Sequence, residues 1–120
     1  MGLEADLPGS SWSLERIVLA DGSVLRGDGD QITFASGGTL TVSSCNICNG
    51  RYAVEGDQLT VQEPLGCTRR ACLSGAIELE RYLASPATLR RDGAYLVIEP
   101  EASEAEQILF VPARAVAPGS

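Results

Sequence analysis

Turn signals cut this chain into segments too short for most structures other than β-strands. Asp21-Gly22, Asp28-Gly29-Asp30, Gly37-Gly38, Glu55-Gly56-Asp57 and Asp92-Gly93 punctuate its 120 residues. Glycine reaches positive φ without a steric penalty, and aspartate bonds to nearby backbone, so each reads as a turn. Between them lie β-prone runs at 11–19, 31–34, 39–43, 51–54, 58–61, 88–91, 95–98 and 107–111. About eight short strands separated by turns predict a small, mainly β, antiparallel barrel-like fold. Alternation supports this: Leu59 and Val61 share one face while Gln58 and Thr60 share the other, and Ile32 and Phe34 repeat the pattern against Gln31 and Thr33. Gly29-Asp30-Gln31-Ile32-Thr33-Phe34 resembles Gly56-Asp57-Gln58-Leu59-Thr60-Val61, with Gly93-Ala94-Tyr95-Leu96-Val97-Ile98 a looser third copy. A turn feeding an alternating strand accounts for that without duplication.

Residues 73–85 break the β rhythm. Alanine, leucine and glutamate are dense there, Ser74 is placed to cap, Ala76, Leu79 and Leu83 form a stripe at helical spacing, and Pro86 ends the run. One amphipathic helix is therefore expected, packed on the sheet or plugging the barrel. The chain suits a single domain over 11–112, with a flexible segment at 1–10 and a frayed tail at 113–120. At 44% hydrophobic residues it is too apolar for general disorder. The longest apolar run is far below the ~20 residues needed to span a bilayer. Residues 1–6 have neither the basic nor the apolar region of an export signal.

Charge and residue usage exclude several functions. Sixteen acidic against nine basic residues give −7, and every basic residue is arginine. Phosphate recognition needs a concentrated cationic footprint, so nucleic acid is not an expected partner. With no histidine and no lysine, serine and cysteine nucleophiles lack their usual bases. Glu78 and Glu80 are two apart and do not share a helix face. No catalytic residue, cofactor or metal site is assigned.

Taken in order, the pieces resemble the META domain, also called the HslJ-like domain, of bacterial envelope proteins and lipoproteins. The likeness runs from Trp12-Ser13-Leu14 through Ile32-Thr33-Phe34 to Cys45-Asn46, its strongest part. It continues through Gly50-Arg51-Tyr52, Gly56-Asp57-Gln58-Leu59-Thr60, Thr68-Arg69-Arg70-Ala71-Cys72, Glu78-Leu79-Glu80-Arg81-Tyr82-Leu83 and Leu109-Phe110. It implies a small β barrel-like domain with one helix, exported or lipid-anchored, with no assigned reaction. The chain departs from the family pattern in two places. Ser44 stands where a glycine commonly precedes Cys-Asn, and Cys48-Asn49 occupies a region where an aromatic residue usually follows. Cys48 and Cys67 thus look like additions to a pattern that already supplies positions resembling Cys45 and Cys72.

Four cysteines allow three pairings. Two nested disulfides, Cys45 with Cys72 and Cys48 with Cys67, suit antiparallel segments and the addition of Cys48 and Cys67 as a unit. They imply an oxidising compartment. A four-thiolate zinc site, a Cys45-x-x-Cys48 redox centre and free core thiols remain as alternatives. Asn46, Thr68, Arg69 and Arg70 form the candidate binding surface, with Asn46 better suited to fixing local backbone geometry. Trp12, Phe34, Leu59, Val61, Leu79, Val97 and Phe110 are the expected core anchors. The expectation is a monomeric, non-enzymatic cell-envelope domain, periplasmic, lipid-anchored or secreted. Its role would be structural, or binding of another envelope protein or component. A small-ligand-binding barrel is the alternative, with a thiol oxidoreductase behind it.

Overall fold

The structure is a computed structural model and describes residues 7–69, 71–72, 77–83, 86–101 and 103–113, the side chains of 63 and 64 excepted. Among the described residues there are nine strands: β1 (Ser10–Leu19), β2 (Val24–Arg26), β3 (Gln31–Phe34), β4 (Thr39–Ser43), β5 (Ile47–Glu55), β6 (Gln58–Cys67), β7 (Ala87–Asp92), β8 (Tyr95–Pro100) and β9 (Ala105–Pro112). All pairings are antiparallel. The order β1-β3-β4-β5-β6-β7-β8-β9 returns to β1 through the β1–β9 ladder, which closes an eight-stranded barrel. Closure removes the open edges that would otherwise template aggregation.

β2 lies outside that ring. Ser10 to Ser13 of β1 pair with β3, while Arg16 to Val18 pair with β2, so two strands share one edge of β1. Gly27, between them, lets the backbones approach: a Cβ there would lie 2.1 Å from the Leu14 carbonyl oxygen.

Burial follows the alternation. Ile32, Phe34, Leu40, Val42, Leu59, Leu96, Ile98, Ile108 and Phe110 fill the interior. On β1 the inward set is Trp12, Leu14 and Ile17, and the three-residue step comes from a bulge that leaves Glu15 unpaired between Leu14↔Phe110 and Arg16↔Leu109. Val97 is buried but lies between the inward-facing Leu96 and Ile98, so it belongs to the outer face, where it pairs with Leu109. The other expected anchors, Trp12, Phe34, Leu59, Val61, Leu79 and Phe110, are members of the interior cluster.

Among the described residues the expected amphipathic helix is not formed. Residues 73–76, including the proposed cap Ser74 and the stripe residue Ala76, and residues 84–85 lie outside the described set. Within 77–83 there is a single 3-10 turn, Leu79–Arg81, entered from Glu78 at φ −105°, ψ 85°, a conformation that no residue inside an α-helix adopts. The Leu79 N–H donates across the fold to Ser44 Oγ at 3.3 Å. A helix would have required an intrasegment carbonyl. Leu79 and Leu83 are nevertheless buried in the core. An apolar stripe at 3–4 spacing records which residues must be covered, and a crossing segment in irregular conformation satisfies it equally well.

The strand directions place two different ends on the barrel. At the end where β1 begins, Leu7 is fully buried, the Trp12 Nε1–H donates to Ser10 Oγ at 2.8 Å, and the Arg91 guanidinium lies 5.1 Å from the Trp12 ring. Phe34 and Tyr52 meet edge to face at 5.1 Å, and the Tyr52 hydroxyl donates to the Ala35 carbonyl at 2.7 Å. At the other end residues 77–83 of the connection from β6 to β7 lie across the opening, with Leu79 and Leu83 buried in the core. Both ladder pairs joining β6 to β7 are at the start of each strand, Gln58↔Thr88 and Leu59↔Ala87.

Candidate functional site

All four cysteines lie at the end crossed by the β6–β7 connection. Cys45 bonds to Cys72 and Cys48 to Cys67, so the two bridges are nested. Cys48 and Cys67 are register partners in the β5–β6 ladder, so their side chains leave the same face of the sheet at adjacent positions. Just inside that pair the ladder carries a bulge: Asn49 faces Gly66 and Arg51 faces Gln62, so β6 carries more residues than β5 over this stretch. Pro64 falls in this unpaired stretch, which tolerates a residue without an N–H. Cys45–Cys72 reaches beyond the sheet and ties the crossing connection to the β4–β5 turn.

Asn46 knits these bridges together. It is 8% exposed. Its Oδ1 accepts from Thr68 Oγ1 at 3.1 Å, its Nδ2 contacts Cys72 Sγ at 3.6 Å, and its carbonyl accepts the Ser44 N–H at 2.9 Å. Thr68 Oγ1 in turn accepts the Ile47 N–H at 3.0 Å. The Asn46 side chain is therefore spent on the fold. Of the residues singled out for binding, Asn46 and Thr68 are adjacent, Arg69 is exposed, and Arg70 lies outside the described set.

A second polar group stands beside the inner bridge. The Glu80 carboxylate and the sulfurs of Cys48 and Cys67 all lie within 4.8 Å of one another. Ser44 holds that carboxylate by donating to Glu80 Oε1 at 3.1 Å, while its Oγ also accepts the Leu79 N–H. Farther along, Ser103 Oγ donates to the Tyr82 carbonyl at 3.2 Å. The crossing connection is thus fastened at Cys72, at Leu79 and Glu80, and at Tyr82. Sequence reasoning sets Glu80 aside as a glutamate that shares no helix face with Glu78 and reads Ser44 as a departure from the family pattern, and so misses their meeting. Only the contact across 36 residues reveals it.

The same end carries a polar cleft of about 230 Å³ lined by Arg26, Asp28, Asp30, Ser44, Cys45 and Ile77. Asp30 is buried there and its Oδ1 accepts the Asp28 N–H at 2.9 Å. Nearby, on the β1–β2 turn, hydrogen bonds from the Ser23 hydroxyl and then its N–H hold the Asp21 carboxyl below its ordinary pKa. At the opposite end, burial pushes the Tyr52 phenol above its ordinary value.

No helix among the described residues is long and apolar enough to cross a membrane. Comparison with solved structures finds the NMR structure of a protein from Burkholderia xenovorans at a TM-score of 0.72 and 22% identity, covering 94% of this chain and 88% of that one. At that identity the likeness speaks to fold alone. Among curated proteins, none matches significantly. The META domain model matches residues 5–114, nearly the whole chain, and the protein belongs to the META domain family.

Proposed function

We propose that this domain is a non-enzymatic binding and scaffolding module of the cell envelope, engaging another envelope protein through its disulfide-locked end. Family and fold support a stable, non-catalytic barrel. The observation that carries the reading is the filled interior: Phe34, Leu40, Leu79, Ile98, Ile108 and Phe110 have no exposure, and the barrel axis is occupied by side chains. A ligand-binding barrel needs internal room, so recognition falls to the surface. Two disulfides rigidify one end, where Arg69 and Ile47 are exposed, and a prepaid surface binds with less ordering cost. The bridges also favour an oxidising location, periplasmic or extracellular.

A photo-crosslinking residue at position 69, with position 93 at the far end as control, tests this in envelope extract. The expected result is a discrete protein adduct at 69 and none at 93. Equal labelling at both ends, or none, refutes it. The polar cleft beside Asp30 favours a second reading, a small polar ligand. A co-purifying molecule in the native mass spectrum, lost on Asp30→Ala, would establish that one instead.

A further inference from the structure

The inner disulfide joins dissimilar partners. Cys48 is fully buried and Cys67 is exposed, so one sulfur is protected while its partner is open to reductant. Glu80 sits within 4.8 Å of both, and Ser44 holds its carboxylate there. While the bridge is intact, those sulfurs carry no charge and Glu80 has no ionic role among them. Reduction changes that. A thiol reductant supplies two electrons and two protons, the Cys48–Cys67 bond breaks, and the reductant leaves as its own disulfide. The products are two thiols on the same sheet face beside a positioned carboxylate.

We propose that this reduced cluster is a redox-gated binding site for a divalent metal ion of the zinc class. Cys48 and Cys67 bind as thiolates, Glu80 binds through one carboxylate oxygen, and the fourth position stays open to solvent. The two thiol protons pass to water as the metal enters. Zinc takes thiolate and carboxylate donors in tetrahedral sets, and two sulfurs with one oxygen meet its preference better than that of magnesium or calcium. Register pairing suits the purpose, because neighbouring side chains on one face need little backbone movement to separate from bonding distance to coordination distance. The Ser44 bond orients the carboxylate as an outer hydrogen bond orients other metal ligands. Exchange with an oxidised disulfide re-forms the Cys48–Cys67 bond, the incoming disulfide takes up the two electrons and leaves as two thiols, and the ion is expelled. Cys45 and Cys72 take no part, which distinguishes this site from a four-thiolate centre.

The test uses the full chain, reduced with a phosphine that is then removed without air. Cobalt(II) titration should give one ion per chain with a thiolate-to-metal absorption, and oxidised protein should give none. Zinc should protect Cys48 and Cys67 from alkylation, leaving Cys45 and Cys72 reactive. Glu80→Gln should weaken zinc binding at least ten-fold while the β-sheet circular dichroism stays unchanged. Failure to take up metal, protection of all four cysteines, or an unaltered Glu80→Gln affinity each overturns the proposal. So does a reduced chain that unfolds and is not restored by zinc.

Discussion

Nested disulfides should not contribute independently, and the size of their coupling follows from the sequence separations. Cys45–Cys72 spans 27 residues and Cys48–Cys67 spans 19. On a chain-entropy model, closing either loop alone restricts the unfolded chain by about 3.5 and about 3.2 kcal/mol respectively. Once the inner loop is closed, the outer bond closes a ring of only about nine residues, worth about 2.6 kcal/mol. With the outer loop closed first, the inner bond is worth about 2.3 kcal/mol on the same basis. Replacing one pair by alanines should therefore cost about 2.6 or about 2.3 kcal/mol, whereas replacing all four should cost about 5.8. The excess over the sum of single pairs is about 0.9 kcal/mol, larger than the ~0.3–0.5 within which independent sites add. Loss of the buried Cys48 sulfur also costs packing, but it enters one single-pair variant and the quadruple variant alike, so it cancels from the coupling. Urea unfolding of the four proteins measures it. Strict additivity, or a four-alanine variant no worse than the weaker pair variant, would refute the nested constraint.

Three further outcomes follow from particular contacts. Gly27→Ala forces a Cβ against the Leu14 carbonyl and should cost about 2–3 kcal/mol by urea midpoint, whereas Gly37→Ala, with open space around it, should be near neutral. Asn46→Ala removes the acceptor of the Thr68 hydroxyl and the Nδ2 contact to Cys72 Sγ and should cost about 1–3 kcal/mol; thermal unfolding within error of wild type would contradict its role as a local clamp. Burial raises the Tyr52 pKa in the fold, so the folded state holds that proton more tightly than the unfolded chain does. Its contribution is full below the unfolded value near 10 and is lost as pH rises through the folded value. Tyr52→Phe should flatten the alkaline decline in stability, and a decline of unchanged steepness would exclude Tyr52 as its source.

Much of the barrel was legible because turns and alternation are local. β3 and β4 occupy 31–34 and 39–43, as the pattern of Ile32, Phe34, Leu40 and Val42 indicates. What escaped depends on contacts distant in sequence. β2 is three residues long and is a strand only because β1 offers it an edge. β5 and β6 run beyond their apolar cores through Gly50 and Pro64, residues that usually end strands, because a bulge and a disulfide continue the pairing. The stripe at Leu79 and Leu83 was correct as a statement of burial and wrong as a statement of helix. Ser44, 35 residues away, takes the N–H that decides the local conformation. The candidate surface divides in the same way. Asn46 and Thr68 are neighbours that hydrogen-bond to one another, but Glu80 joins the sulfurs through the path of the connection, which no spacing rule reveals.

The central claim is that two nested bridges hold the β6–β7 connection across one end of the barrel. Peptide mapping of oxidised, unreduced protein under conditions that prevent exchange tests it directly. The account predicts one peptide linking Cys45 to Cys72 and another linking Cys48 to Cys67. A Cys45–Cys48 or Cys67–Cys72 linkage, or four free thiols in protein prepared under oxidising conditions, would contradict it.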